Sequence, residues 1–131
     1  IKTEFTNSER ISHQRLKSHV ISAAEQCGGT FVPTIDNLQR LDKVLTEWPA
    51  KRNILFCDEN KVGMPVRLSN LRKGKWAILI GPEGGFSQKE RSQIVSISRS
   101  YSISLGPRIL RADTAAVAAL TLWQNKLGDW A

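Results

Sequence analysis

Trp76-Ala77-Ile78-Leu79-Ile80-Gly81-Pro82-Glu83-Gly84-Gly85-Phe86-Ser87-Gln88-Lys89-Glu90 decides the fold. Trp76 to Ile80 is a short continuous apolar run, as expected of a strand buried on both faces. Gly81 to Gly85 breaks that run. Ser87-Gln88-Lys89-Glu90 then has the S-x-x-E form of a capping box, in which the serine side chain accepts from the glutamate's backbone N–H while the glutamate side chain reaches back. A helix is expected from there to about Arg99.

Outward from this stretch, the same pattern repeats. Asn53 to Cys57 is another buried-strand run, and Tyr101 to Leu105 makes a third, left through Gly106-Pro107-Arg108. The last helix is expected from near Asp113 to Leu127, with Ala116, Val117, Leu120 and Leu127 inward and Gly128 as its stop. Upstream, Leu16, Val20, Ala23, Ala24 and Cys27 recur at helical spacing between Ser12 and Cys27, and Gly28-Gly29 ends that helix. A short extended piece, Thr30 to Pro33, comes next. Leu38, Leu41, Leu45 and Trp48 mark one face of a second helix that Pro49 stops. Glu59 to Lys75 is polar, with Gly63, Pro65 and Gly74, and reads as mostly loop. Strands alternating with helices predict an α/β fold with a parallel sheet. Ligands in such sheets bind at the carboxyl ends of the strands, which directs attention to the segments just after Cys57, Ile80 and Leu105.

The 131 residues suit a single domain, roughly 14 Å in radius of gyration, able to bury one real core. Apolar residues at 40% and charged residues at 24% are ordinary globular values, so disorder is not expected. No apolar run approaches the ~20 residues needed to cross a bilayer, and the start is unlike a signal peptide, so a soluble, cytoplasmic chain is expected. Cys27 and Cys57 have no CxxC or histidine-pair context and read as reduced core thiols. Lys and Arg total 19 against 12 Asp and Glu, a net charge of +7. That excess fits either a polyanionic partner or a solvated basic surface.

Ile80 to Gly85 and Leu105 to Arg111 are thus two glycine-containing loops leaving strands. Neither is a GxxxxGK[ST] phosphate loop nor a GxGxxG fingerprint. Each alone reads equally as a tight turn, since that is the commonest use of Gly and Pro. Together in one sheet, with arginines in the second, they favour a binding site.

GPEGGFS (81–87) followed by LGPRILRADTA (105–115), with AAEQC (23–27) upstream, resembles the RsmE family of small-subunit ribosomal RNA methyltransferases in the SPOUT superfamily. The likeness runs from about Thr3 to Trp130. It implies a SPOUT-type parallel sheet flanked by helices with a deep C-terminal trefoil knot, residues 1–131 forming the catalytic domain. It implies a homodimer, S-adenosylmethionine as methyl donor, and methylation of uridine N3 in 16S ribosomal RNA or the assembled 30S subunit. By the same likeness the cofactor would be flanked by Leu55 and Phe56, by Ile80, Gly81, Pro82, Glu83, Gly84 and Gly85, and by Leu105, Gly106, Ile109, Leu110 and Ala115. Family members begin with a small β-rich, PUA-like RNA-binding domain that this chain is expected to lack. Gly29 stands where an arginine often follows the AAEQC helix, and Asp113 where many relatives carry glutamate.

The chemistry agrees with that likeness. Backbone amides and aliphatic side chains suffice to hold an adenine ring, and Ile80, Leu105, Ile109 and Leu110 can supply the apolar contacts. No metal is needed, because a sulfonium makes its methyl group electrophilic. Uracil N3 must lose a proton near attack, spreading charge onto the flanking carbonyl oxygens, and a guanidinium is the natural stabiliser. Arg111 is the first candidate, with a salt bridge to Asp113 or Glu83 as the plain alternative. Glu83 is the second, as proton acceptor or orienter of Arg111, or else only holding its loop through backbone amides.

Arg10, Arg15 and Arg108 are the expected RNA contacts, with Lys2 and Lys17 weaker and Lys73 and Lys75 solvated. His13 and His19 read as surface histidines, and most of the four tryptophans as packing. The rivals are a catalytically silent RNA-binding or ribosome-assembly module and a nucleotide-phosphate binder, the latter weakened by the lack of a Lys-Ser/Thr after GPEGG.

Overall fold

The computed structural model describes residues 1–6, 10–65 and 67–131. Three strands form one sheet: β1 (Arg52–Cys57), β2 (Lys75–Leu79) and β3 (Ser100–Ile103), in the order β2-β1-β3 and parallel throughout. Among the described residues four helices accompany them: α1 (His13–Gln26), α2 (Leu41–Thr46), α3 (Gln88–Ser96) and α4 (Ala112–Lys126). The expected α/β class, with its three strands in parallel, is what the chain adopts. Each strand begins one residue earlier than its apolar run suggests, and the runs' last residues, Ile80 and Leu105, fall in the loops that follow β2 and β3.

Alternation along β1 builds the core. Ile54 and Phe56 face Leu41 and Leu45 of α2 and Ile94 of α3, with Leu79 and Phe86 packed alongside. Leu55 faces the other way, against Leu68 and Ile103, with Leu122 and Trp123 of α4 nearby. Successive strand side chains point to opposite faces, so a central strand covered on both sides has to be apolar throughout. Burying each of Ile54, Leu55 and Phe56 contributes about 1.5–3 kcal/mol.

The helices depart from the sequence expectation in phase and length. Within α1 only Ala24 is buried, while Leu16, Ala23 and Cys27, expected on an inward face, are exposed. In α4 the buried positions are Ala115 and Ala119, whereas Val117 and Leu120 face outward. Residues 115–120 are all apolar, so periodicity cannot fix the helix phase. Helix α2 is one and a half turns long, with Leu38 and Trp48 outside it. The capping box of α3 is complete: Ser87 Oγ accepts from Glu90 N at 3.2 Å, and Ser87 N donates to Glu90 Oε2 at 3.0 Å. That helix stops at Ser96, three residues short of Arg99. The loop from Glu59 to Lys75 holds a 3-10 turn at Glu59–Lys61 and buries Leu68; its Val66 lies outside the described residues.

Candidate functional site

Parallel strands end on one edge, and there the chain leaves three times. After β1 it turns through Asp58 into the 3-10 turn. After β2 it makes the glycine loop 81–85, which leads into α3. After β3 it makes loop 105–111, which leads into α4. The three exits enclose a cleft of about 280 Å³, near the lower end of the ~300 Å³ and upward usual for ligand sites. Its apolar wall is Phe56, Ile80, Leu105, Ile109, Leu110 and Ala115. Its polar groups are Asp58, Glu59, Glu83, Arg91, Arg108 and Arg111.

Loop 81–85 is shaped by the absence of side chains. A Cβ on Gly81 would stand 2.9 Å from the Phe86 ring, and Gly85, at φ +71°, lies directly against the Glu59 carboxylate. Phe86 in turn meets Phe56 edge-on, with ring centroids 5.4 Å apart. Glycine here lets backbone line the cleft, which a flat, nucleoside-sized ligand requires. Loop 105–111 is more open. Ile109 is 71% exposed, and the Arg111 side chain is 85% exposed with its Nε 3.7 Å from Asp113 Oδ1. An ion pair that exposed holds Arg111 weakly, leaving it available at the cleft mouth.

The structure brings together most of the residues singled out by sequence: Phe56, Ile80, Gly81, Pro82, Glu83, Gly85, Leu105, Arg108, Ile109, Leu110, Arg111 and Ala115 all line the cleft. Three expected cofactor neighbours stand elsewhere. Leu55 is fully buried on the sheet face that packs Leu68 and Ile103. Gly84 abuts Phe5 on the outside of its loop, where a Cβ would meet the Phe5 Cβ at 2.9 Å. Gly106 lies just off the wall, its carbonyl accepting from Gly63 N at 3.0 Å. Of the arginines expected to meet RNA, Arg108 borders the cleft, while Arg10 and, on α1, Arg15 are exposed away from it. Among the described residues Glu83 makes no side-chain hydrogen bond or ion pair.

Sequence reading pointed to the segment after β1 but singled out no residue in it. Cys57, Asp58, Glu59, Asn60 and Val62 line the cleft, together with Arg91 from the first turns of α3. Asp58 receives Arg91 through Nη2 at 2.7 Å and Nε at 3.3 Å, and this bond pushes the guanidinium pKa further above its ordinary value. A polar run after a strand reads as solvated loop, and no local pattern links positions 58 and 91. Burial pushes the Cys57 thiol up to about 12, so at neutral pH it stays protonated and is no nucleophile.

Elsewhere, Trp48 and Trp76 pack and donate to backbone oxygens of Arg52 and Arg72. Trp130 is exposed. Among the described residues no cluster of His, Cys, Asp and Glu could hold a metal.

Comparison with known proteins converges on one family. The RNA methyltransferase domain family matches residues 1–124. Ribosomal RNA small subunit methyltransferase E of Buchnera aphidicola subsp. Schizaphis graminum is 36% identical over 121 residues, covering 84% of this chain and 44% of the relative. Its namesake in Rickettsia conorii is 32% identical over 124 residues, covering 90% and 49%. The chain thus spans under half the length of these two relatives. Among solved structures, ribosomal RNA small subunit methyltransferase E of Neisseria gonorrhoeae, bound to S-adenosyl methionine, superposes with a TM-score of 0.80 at 29% identity, covering 95% of this chain and 54% of that one. A putative methyltransferase from Legionella pneumophila in complex with the same cofactor gives 0.78 at 29% identity, covering 93% and 52%.

Proposed function

Because this chain belongs to the RNA methyltransferase domain family, we propose that residues 1–131 are a SPOUT-type catalytic domain that binds S-adenosylmethionine and methylates N3 of a uridine in small-subunit ribosomal RNA. The observation that carries this reading is the convergence of two glycine loops on one cleft, with Gly81 and Gly85 placed where a side chain would collide. The residues fit the cofactor. Backbone of loop 81–85 and the apolar Phe56, Ile80, Leu105 and Leu110 suit an adenine ring, and a side chain on Gly85 would displace the Glu59 carboxylate beside it. When bound, the cofactor supplies an electrophilic methyl group on sulfonium.

The chain's own residues do the rest. Holding the reactants in line is a positioning effect that reaches about 7–11 kcal/mol in ideal cases. Arg111, at the point where loop 105–111 enters α4, stabilises negative charge on the uracil carbonyl oxygens as N3 loses its proton. Glu83, on the same cleft and without a competing partner among the described residues, accepts that proton or orients Arg111. Arg108 meets the RNA backbone beside the cleft, and Arg10 and Arg15 meet it farther out. The net charge of +7 supports a polyanionic substrate, as 16S RNA alone or in the 30S subunit.

The same reading carries the family's deep C-terminal trefoil knot, a homodimer and a cytoplasmic location. No described helix is long and apolar enough to cross a membrane. The exposed Val117 of α4, beside a groove lined by Trp76, Ile78, Ile80, Ala116, Leu120 and Trp123, supports self-association. Calorimetric titration with S-adenosylmethionine and, in parallel, with ATP tests the proposal. Saturable binding of the methyl donor with little of ATP is expected; the reverse preference defeats it. RNA binding without any affinity for the methyl donor would instead establish the catalytically silent module.

A further inference from the structure

Residues 58–63 form a strap between the two glycine loops. Its Glu59 carboxylate rests on Gly85 of loop 81–85, and its Gly63 N donates to Gly106 O of loop 105–111 at 3.0 Å. Among the described residues no hydrogen bond joins the two loops directly, and the strap touches both. Asp58 begins it. One carboxylate oxygen accepts from Asn60 N at 3.1 Å, starting the 3-10 turn, and both oxygens receive Arg91. The Asp58 side chain is 1% exposed and that of Arg91 28%.

Arg91 leaves a rigid platform. The turn of α3 that bears it is fixed by the Ser87–Glu90 box, and Glu90 also accepts from Glu4 N at 2.6 Å. A buried ion pair is a weak route to stability, because an apolar pair of similar volume serves about as well. What the pair adds is direction. A planar guanidinium fork and a turn-forming amide approach one carboxylate from different sides and fix where the strap begins.

We propose that the Asp58–Arg91 pair is a positioning device for the methyl-donor site: it sets the strap, and through the strap the spacing of the two glycine loops around the cofactor. This rests on the methyl-donor reading of the cleft. Asp58 and Arg91 act here through the strap, without themselves reacting.

Calorimetry with S-adenosylhomocysteine as the probe, together with thermal unfolding and amide exchange, tests it on three proteins: wild type, Asp58→Asn, and the apolar double variant Asp58→Leu/Arg91→Met. Asp58→Asn keeps an acceptor for Asn60 N but loses the charged fork. It is expected to bind the probe at least tenfold more weakly and to exchange the Gly63 amide faster, with β1 amides unchanged. The double variant is expected to regain the wild-type unfolding midpoint while binding stays at least tenfold weak. Affinity within threefold of wild type in Asp58→Asn overturns the proposal, as does an unchanged Gly63 exchange rate. Recovery of affinity together with stability in the double variant overturns it too, since packing alone would then suffice. A wild-type chain that fails to bind the probe overturns the reading of the cleft itself, and this assignment with it.

Discussion

The two glycine loops look alike in sequence and differ in the structure. In loop 81–85 every glycine is pressed by a neighbour: Gly81 by Phe86, Gly84 by Phe5 and Gly85 by Glu59. In loop 105–111 nothing lies within 4 Å of a Cβ built on Gly106, whose need for glycine is only its φ of +110°. Its Ile109 and Arg111 stand out in solvent. One loop is a packed wall and the other an open one. A packed wall can fix a cofactor before binding, whereas an open wall is where substrate can enter and a catalytic side chain can meet it.

The largest expected effect breaks the packed wall. Gly85→Ala combines left-handed strain of about 1–2 kcal/mol with displacement of the flexible Glu59 carboxylate from its seat on the loop, and lowers the unfolding midpoint by about 5 °C. Calorimetry should then show methyl-donor affinity reduced at least a hundredfold. Adding Glu59→Ala removes the collision but neither the strain nor the loss of the strap's contact with this loop, so affinity should stay low; full restoration would mean that neither matters.

Next comes the open wall's charge. Arg111→Ala should keep methyl-donor affinity within about twofold and lower methyl transfer to small-subunit ribosomal RNA by about 10²–10³-fold. Unchanged turnover in a radiolabelled-methyl assay would remove Arg111 from the mechanism.

Gly106→Ala sharpens the contrast with Gly85. With strain but no collision it should cost only about 1–2 kcal/mol in denaturant unfolding, and donor affinity should stay within threefold. If it proved as damaging as Gly85→Ala, the two loops would not differ as described.

The smallest effect reports on the floor between them. Cys57 titrates at about 12 when folded, against an ordinary thiol value of 9.0 when the chain is unfolded. Above pH 9 the unfolded chain therefore loses a thiol proton that the folded chain keeps, and stability should fall by up to about 1.4 kcal/mol per pH unit until pH 12. Denaturant unfolding at pH 8 and pH 10 should show a slope that Cys57→Ala flattens. A flat wild-type profile would place water at the thiol.

Much of this was legible in the residues. Continuous apolar runs marked the three strands, and the capping box placed the start of α3 at Ser87. The family likeness named Phe56 and most of the residues between Ile80 and Ala115 that line the cleft. Leu55 lies off the cleft because strand side chains alternate, and its neighbour Phe56 takes the other face. Gly84 and Gly106 lie off the cleft, Gly84 against Phe5 and Gly106 bonded through its carbonyl to Gly63 N, contacts that no local pattern announces. The phase of α4 was hidden by its unbroken apolar sequence.

Sequence by itself determined the alternation of strand and helix, the turn chemistry at the strand ends and the family likeness, because these are local properties written in period, propensity and contiguous motif. Tertiary structure alone decided that Asp58 meets Arg91 across 33 positions, that Glu59 rests on Gly85, and which side of α4 is covered. Those are outcomes of where the chain returns in space. A polar residue in a loop carries no mark of its partner until folding puts the two within hydrogen-bond reach and removes the water between them.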